Sequence, residues 1–190
     1  AQETWRGIYV QRAGGVSTWS HVSVQGTRGF DFDGRLITGG VTFNESPLVL
    51  RSVSFSDNRS EDALNVVGSS IDFQNVSFVG ATSDGFDGDA VTGIIGNSVF
   101  LSIGGDGLDI SGSNIEVSDL RFDEIADKAL SVGEGSVLVG RNIQIGSTGI
   151  GIASKDLSSV VVDEISIEEF TQYAFAAYQK KPEYGAATIE

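Results

Sequence analysis

Ser83-Asp84-Gly85-Phe86-Asp87 and Gly105-Asp106-Gly107-Leu108-Asp109 are two renderings of one phrase, Asp-Gly-apolar-Asp. Every matched position lies 22 residues apart, as from 84 to 106. One interval earlier stands Glu61-Asp62-Ala63-Leu64-Asn65, and one interval later Asp127-Lys128-Ala129-Leu130-Ser131. Repetition at a fixed interval in this range marks a solenoid, in which each unit buries its apolar side against its neighbours.

Between these phrases runs a second pattern, two apolar pairs with an extra residue in the middle. It reads Leu48, Leu50, Val53, Phe55; then Ile71, Phe73, Val76, Phe78; then Ile115, Val117, Leu120, Phe122; then Val160, Val162, Ile165, Ile167. Trp19, Val22 and Val24 give a partial copy. Spacing by two is strand periodicity, and the extra residue is a bend between two short strands. Polar Asn75, Asp119 and Asn142 occupy that bend, as tight corners prefer. A third strand carries Leu64-Val66, Leu108-Ile110, Leu130-Val132 or Ile150-Ile152.

Three short strands per coil predict an all-β, single-stranded, right-handed parallel β-helix over residues 1–179, with about seven coils stacked at ~4.8 Å. The coils are expected to begin near Gly15, Val41, Ser70, Ile94, Asn114, Val137 and Ser159. The coil from Ile94 fits least well, because Asn97 falls where an apolar residue is expected. The one candidate for a helix is Thr171 to Gln179, where aromatic and Ala content rises. Residues 180–190 break the pattern and are expected to cap the end or to link onward to a further segment.

Composition narrows the partners. With 26 acidic against 12 basic residues the net charge is −14, which excludes nucleic acid and anionic membrane as partners and suits cation binding. No apolar run approaches a membrane span, so no membrane insertion is expected. No signal peptide precedes Ala1, and the chain is expected to be a mature protein or an excised fragment, with other domains of a larger polypeptide among the expected partners. There is no Cys, so thiolate metal sites are excluded.

The repeat sets side chains in columns. One is Asn65, Asp87, Asp109, Ser131, expected to face outward; another is Asp62, Asp84, Asp106, Lys128. Carboxylates ~5 Å apart repel by roughly 3 kcal/mol at an effective dielectric of 20. Sheltered columns therefore need a cation, Lys128 or a raised pKa. Asp84, Asp87, Asp106 and Asp109 form a candidate Ca²⁺ site, with Asp89 as a further acid nearby. The alternative is that Asp before Gly caps a turn by accepting nearby backbone N–H groups. Asn65, Asp87, Asp109 and Lys128 form the candidate ligand-binding set, with Lys155 as a further basic candidate. Tyr173, Tyr178 and Tyr184 at one end, and Trp5 and Trp19 at the other, suit sugar stacking or end-capping. His21, far from these columns, is read as structural, and the sequon at Asn75 as a corner.

Gly105-Asp106-Gly107-Leu108-Asp109-Ile110-Ser111 resembles the Asn-Thr-Asp-Gly-Ile-Asp phrase of the polygalacturonase-type, pectin-active β-helix superfamily. Ala126-Asp127-Lys128-Ala129-Leu130-Ser131-Val132-Gly133 is similar to the next coil of that family, and Ser147-Thr148-Gly149-Ile150 falls where the family carries its His. Lys128 stands where those hydrolases keep their general acid, and Thr148 where they keep the His, so the resemblance implies scaffold kinship without the hydrolase machinery. Phrases such as Glu61-Asp62-Ala63-Leu64-Asn65 and Ile152-Ala153-Ser154-Lys155-Asp156 also resemble bacterial extracellular β-helix modules found beside spore-coat-protein-H-like domains. That likeness implies a secreted or cell-envelope setting. The expectation is a non-catalytic module that binds a polysaccharide or cell-surface glycan, or acts as a spacer. The alternative is a Ca²⁺-dependent polysaccharide lyase in which Lys128, beside Asp106, abstracts the proton.

Overall fold

A computed structural model describes residues 4–190. The first coil holds β1 (Ile8–Gln11), β2 (Ser17–Ser20) and β3 (Ser23–Gln25). A hairpin follows, β4 (Phe30–Phe32) and β5 (Arg35–Ile37), and then β6 (Gly39–Asn44) and β7 (Leu48–Ser56). The middle of the chain supplies β8 (Asp62–Val67), β9 (Ser70–Val79), β10 (Asp84–Asp89), β11 (Thr92–Ile103) and β12 (Leu108–Ser111). The last coils are nearly continuous strand: β13 (Asn114–Gly133), β14 (Val137–Lys155) and β15 (Ser159–Tyr178), with β16 (Thr188–Ile189) after them.

Every pairing except the β4–β5 hairpin is parallel, and the chain winds into a three-faced solenoid of about six turns at ~22-residue spacing. The first face stacks β1, β6, β8, β10, β12 and the C-terminal parts of β13 to β15. The second face stacks β2, the first halves of β7, β9, β11 and β13 to β15, and finally β16. The third face stacks β3 on the second halves of the same strands.

Left-handed backbone makes the corners. His21, Ser52, Asn75, Asn97, Asp119 and Glu164 take φ between 47° and 59° at the turn from second to third face, with Asn142 at 52° among them. A second column follows the third face (Gly26, Asp57, Gly80, Ser102, Glu124), and another follows the first face (Arg12, Glu45, Gly68, Ala90, Gly112, Glu134, Asp156). Just beyond that last corner a serine ladder replaces backbone pairing: Ser46 N–H donates to Ser69 Oγ, Ser113 N–H to Ser136 Oγ, and Ser136 N–H to Ser158 Oγ. Inside, Phe55, Phe78, Phe100 and Phe122 form a column with centroids 5.1, 4.9 and 4.7 Å apart. That separation is the strand spacing itself, so the rings stack because the coils do.

Four expectations need correction. Asn97 is not a misplaced core residue: it is the corner, and its second-face strand begins at Thr92, with Gly93 opposite Ile71. Ile94 faces outward at 40% exposure, so a start at Ile94 is two residues late. Gly93 is obligatory, because a Cβ there would lie 1.9 Å from the Ile71 carbonyl oxygen. The start near Val41 belongs to a different face; the equivalent strand begins at Leu48. Thr171–Gln179 is strand through Tyr178, since the first face of β14 templates it and Phe175 pairs opposite Ile152. The hairpin was not foreseen, although Asp33-Gly34, with φ of 51° and 73°, is a standard two-residue hairpin signal.

Residues 180–190 do not break away. Lys180 and Lys181 N–H groups donate to Asp156 Oδ1 at 2.6 and 2.7 Å. β16 then pairs with Ser159–Val160, and Ile189 packs on the core.

Candidate functional site

The acid columns lie on the first face. Asp87 is opposite Asp109 on one side and Asn65 on the other, so Asn65, Asp87 and Asp109 are vertical neighbours. Asp84 is opposite Asp62 in the same way. Lys128 belongs to the second column, and the structure does not bring it into the Asn65–Asp109 line.

The second column turns inward upon the backbone of the next coil. Asp84 Oδ1 accepts the Asp106 N–H at 2.7 Å, and Asp106 Oδ1 accepts the Lys128 N–H at 3.0 Å. The capping alternative is therefore realised with one change: the capped N–H lies one coil along the chain, not in the same turn. Asp62 and Asp106 are only 3% and 7% exposed, which makes the columns sheltered.

Three devices offset the repulsion. Burial, with help from Asp84 and Glu61, pushes the Asp62 carboxyl up to about 7. Burial raises Asp84 to about 6, against the pull of the Asp106 N–H. Burial, then Asp62, Asp89 and Asp109, push Asp87 up to about 8, so at pH 7 it is mainly the neutral acid. Asn65 Nδ2 donates to Asp87 Oδ2 at 2.9 Å. Two lysines supply the remaining compensation. Lys128 Nζ donates to Asp106 Oδ1 at 3.2 Å and to Asp127 Oδ2 at 2.5 Å. Lys155 Nζ donates to Ser131 Oγ at 2.7 Å and stands 3.7 Å from Asp109 Oδ1.

These contacts decide what Lys128 does chemically. Burial pulls its pKa down, but the bond to Asp127 and the charges of Asp106 and Asp127 outweigh it, raising the amine to about 12. A general base needs a pKa near the working pH, and these contacts move Lys128 away from it. Lys128 closes the acidic column. Asp84, Asp87, Asp106 and Asp109 sit on two separate columns, and among the described residues no three His, Asp or Glu side chains are grouped to hold a metal ion.

A different surface has the shape of a binding site. On the third face of β13, β14 and β15, and the corner that leads into it, an open trough of about 780 Å³ crosses three coils. Arg121 is opposite Gln144, and Gln144 opposite Ser166, so equivalent positions of successive coils line it. Gly146 lowers its floor: a Cβ there would lie 2.4 Å from Asp123 Oδ1. Asp123 is held in place, accepting from Ser147 Oγ at 3.1 Å with Arg121 Nη2 at 3.7 Å. Beside the trough lies a recess of about 430 Å³ edged by Phe170. The sequence carries little sign of these residues, because outward polar positions on a strand look alike whether or not they bound a groove.

Trp5, Trp19 and the C-terminal tyrosines flank the two ends, with Trp19 edge-on to Phe43 at 5.5 Å. His21 is a corner residue. No protein-family model, no curated protein and no solved structure matches this chain.

Proposed function

We propose that this chain is a non-catalytic glycan-binding module of an extracellular or cell-envelope protein, built on a scaffold related to the pectin-active β-helices. Its ligand is a polysaccharide or cell-surface glycan lying in the trough of β13 to β15. One observation carries the reading: an open, polar trough lined by equivalent positions of three successive coils. Polar positions at a fixed spacing suit a repeating polymer. Amide and carboxylate groups such as Gln144 and Glu168 suit sugar hydroxyls, because both accept hydrogen bonds in plane.

Charge narrows the class. Asp123, Glu164, Glu168 and Glu169 face the trough against Arg121 alone. Such a wall repels uronate polymers and favours neutral or amino sugars. The ion pairs of Lys128 with Asp106 and Asp127 count against the lyase alternative, in which that amine would be the base.

Affinity electrophoresis against a neutral glucan, an amino-sugar polymer and polygalacturonate tests the reading. Retardation by one of the first two is expected, and Gln144→Ala with Glu168→Ala should weaken it at least about tenfold at unchanged melting temperature. Binding to none of the polymers, or equal binding by the double variant, would overturn it. An ultraviolet-absorbing unsaturated product from polygalacturonate would instead restore the lyase.

A further inference from the structure

The two ends of the solenoid carry opposite charge and open backbone edges, and we propose that copies of this chain associate head to tail, end on end. The inference rests on the ends alone and not on the carbohydrate reading.

At the C-terminal end, β15 pairs on one side with β14, while on the other β16 and Glu190 cover it from Ser159 to Val162. Among the described residues nothing pairs with the far edge of β15 from Ile165 to Tyr178. The interior positions of this coil are consequently uncovered: Phe170, Tyr173 and Phe175 are 48, 60 and 47% exposed, whereas Ile152, next to Phe175 in the column, is fully buried. At the N-terminal end, among the described residues, β1 pairs only with β6, and β2 and β3 only with β7. A row of unpaired N–H and C=O groups beside uncovered apolar side chains is a template for further strands.

Charge selects the occupant. The last coil and the segment folded on it, residues 159–190, hold Asp163, Glu164, Glu168, Glu169, Glu183 and Glu190 against Lys180 and Lys181. The first coil and its hairpin, residues 4–38, hold Arg6, Arg12, Arg28 and Arg35 against Asp31 and Asp33, in a molecule of net charge −14. Arg12 already pairs with Glu45; Arg6 and Arg28 are exposed. Strand direction selects the same occupant. All strands of a face run parallel, and only the opposite end of a second copy, advanced along the axis, offers strands running the same way. A two-fold contact through like ends would set the strands antiparallel and bring like charges together. The interface is therefore heterologous and does not close, so assembly proceeds to short rods.

Sedimentation velocity of the unaltered chain tests this across concentration at two salt levels. Concentration-dependent, elongated oligomers are expected, weakened at least about tenfold between low and high salt as screening shortens the reach of the end charges. Asp163→Lys with Glu169→Lys should yield monomers, as should Arg6→Glu with Arg28→Glu, with circular dichroism reporting the fold. Mixing the two variants should restore rods in which the two alternate, because one then carries two positive ends and the other two negative ends. A chain that stays monomeric at all concentrations, association indifferent to salt, or cross-links joining two C-terminal ends would each overturn the proposal.

Discussion

Asp87 shows how a single carboxyl is made to fit a face crowded with acids. Burial raises its pKa most, the neighbouring acids Asp62, Asp89 and Asp109 add to that, and the Asn65 donor opposes it. Asp62, Asp84 and Asp87 all bind a proton more tightly in the folded chain than in the unfolded one. The folded state thus holds more protons between about pH 4 and pH 8, and by linkage its stability falls as pH rises through that window. Their contribution is complete below about pH 4 and lost above about pH 8. Thermal unfolding followed by circular dichroism should give a higher Tm at pH 5 than at pH 8. Asp87→Asn keeps an oxygen for Asn65 Nδ2 and removes the titration, so it should stabilise by about 1–2 kcal/mol at pH 8 and little at pH 5. A variant with the wild-type pH slope would remove Asp87 from this account. The columns themselves were legible in the sequence, since a fixed period forces vertical neighbours. That the acids cap the next coil was not, because the contact joins residues 22 apart whose side-chain direction no local pattern reveals.

Corners set the limit on what could be read at the level of elements. Asn75, Asp119 and Asn142 announced one column, because Asn and Asp tolerate left-handed backbone. Glu45, Ala90 and Glu124 occupy the others with no such preference, and their neighbours impose the conformation. Ala90 is the cleanest case, with φ of 51° in a column where Gly68 and Gly112 adjoin it. Left-handed backbone costs a non-glycine residue roughly 1–2 kcal/mol, of which a glycine would return part to unfolded-chain entropy. Ala90→Gly should therefore stabilise by about 0.5–1 kcal/mol, read as a rise in Tm or in denaturant midpoint. A fall in Tm would mean the Ala90 methyl packs more than its exposure suggests. The Thr92–Ile103 strand escaped the pattern for a related reason: Gly93 and Ser98 stand where other coils carry apolar residues. Ser98 Oγ there accepts the Val76 N–H at 3.1 Å and donates to the Gly96 carbonyl, so a hydroxyl is satisfied inside the core. Thr171–Gln179 looked helical for its Ala and aromatic content, which the template strand overrides.

For the whole molecule, each coil touches only the coils beside it, so stability is a sum of coils and of the contacts between them. The central coils have a neighbour above and below along their full length; β1 to β3 and the stretch Ile165–Tyr178 have one. Amide hydrogen exchange in dilute solution should show protection greatest across β11 to β14 and falling toward both ends. Uniform protection would indicate that the chain opens only as a unit. The match of Thr92 with Asn114, and of Phe86 with Leu108, carries one more consequence. Cut out residues 92–113 and Val91 meets Asn114, with every strand, corner and ladder serine finding the equivalent partner one coil further on. The cross-section is indifferent to how many coils it contains, so evolution or a designer can lengthen or shorten this rod only in whole steps of ~4.8 Å. A partial insertion has nowhere to go but outward at a corner, as the segment from Phe30 to Ile37 has done. The fold is a ruler marked in coils.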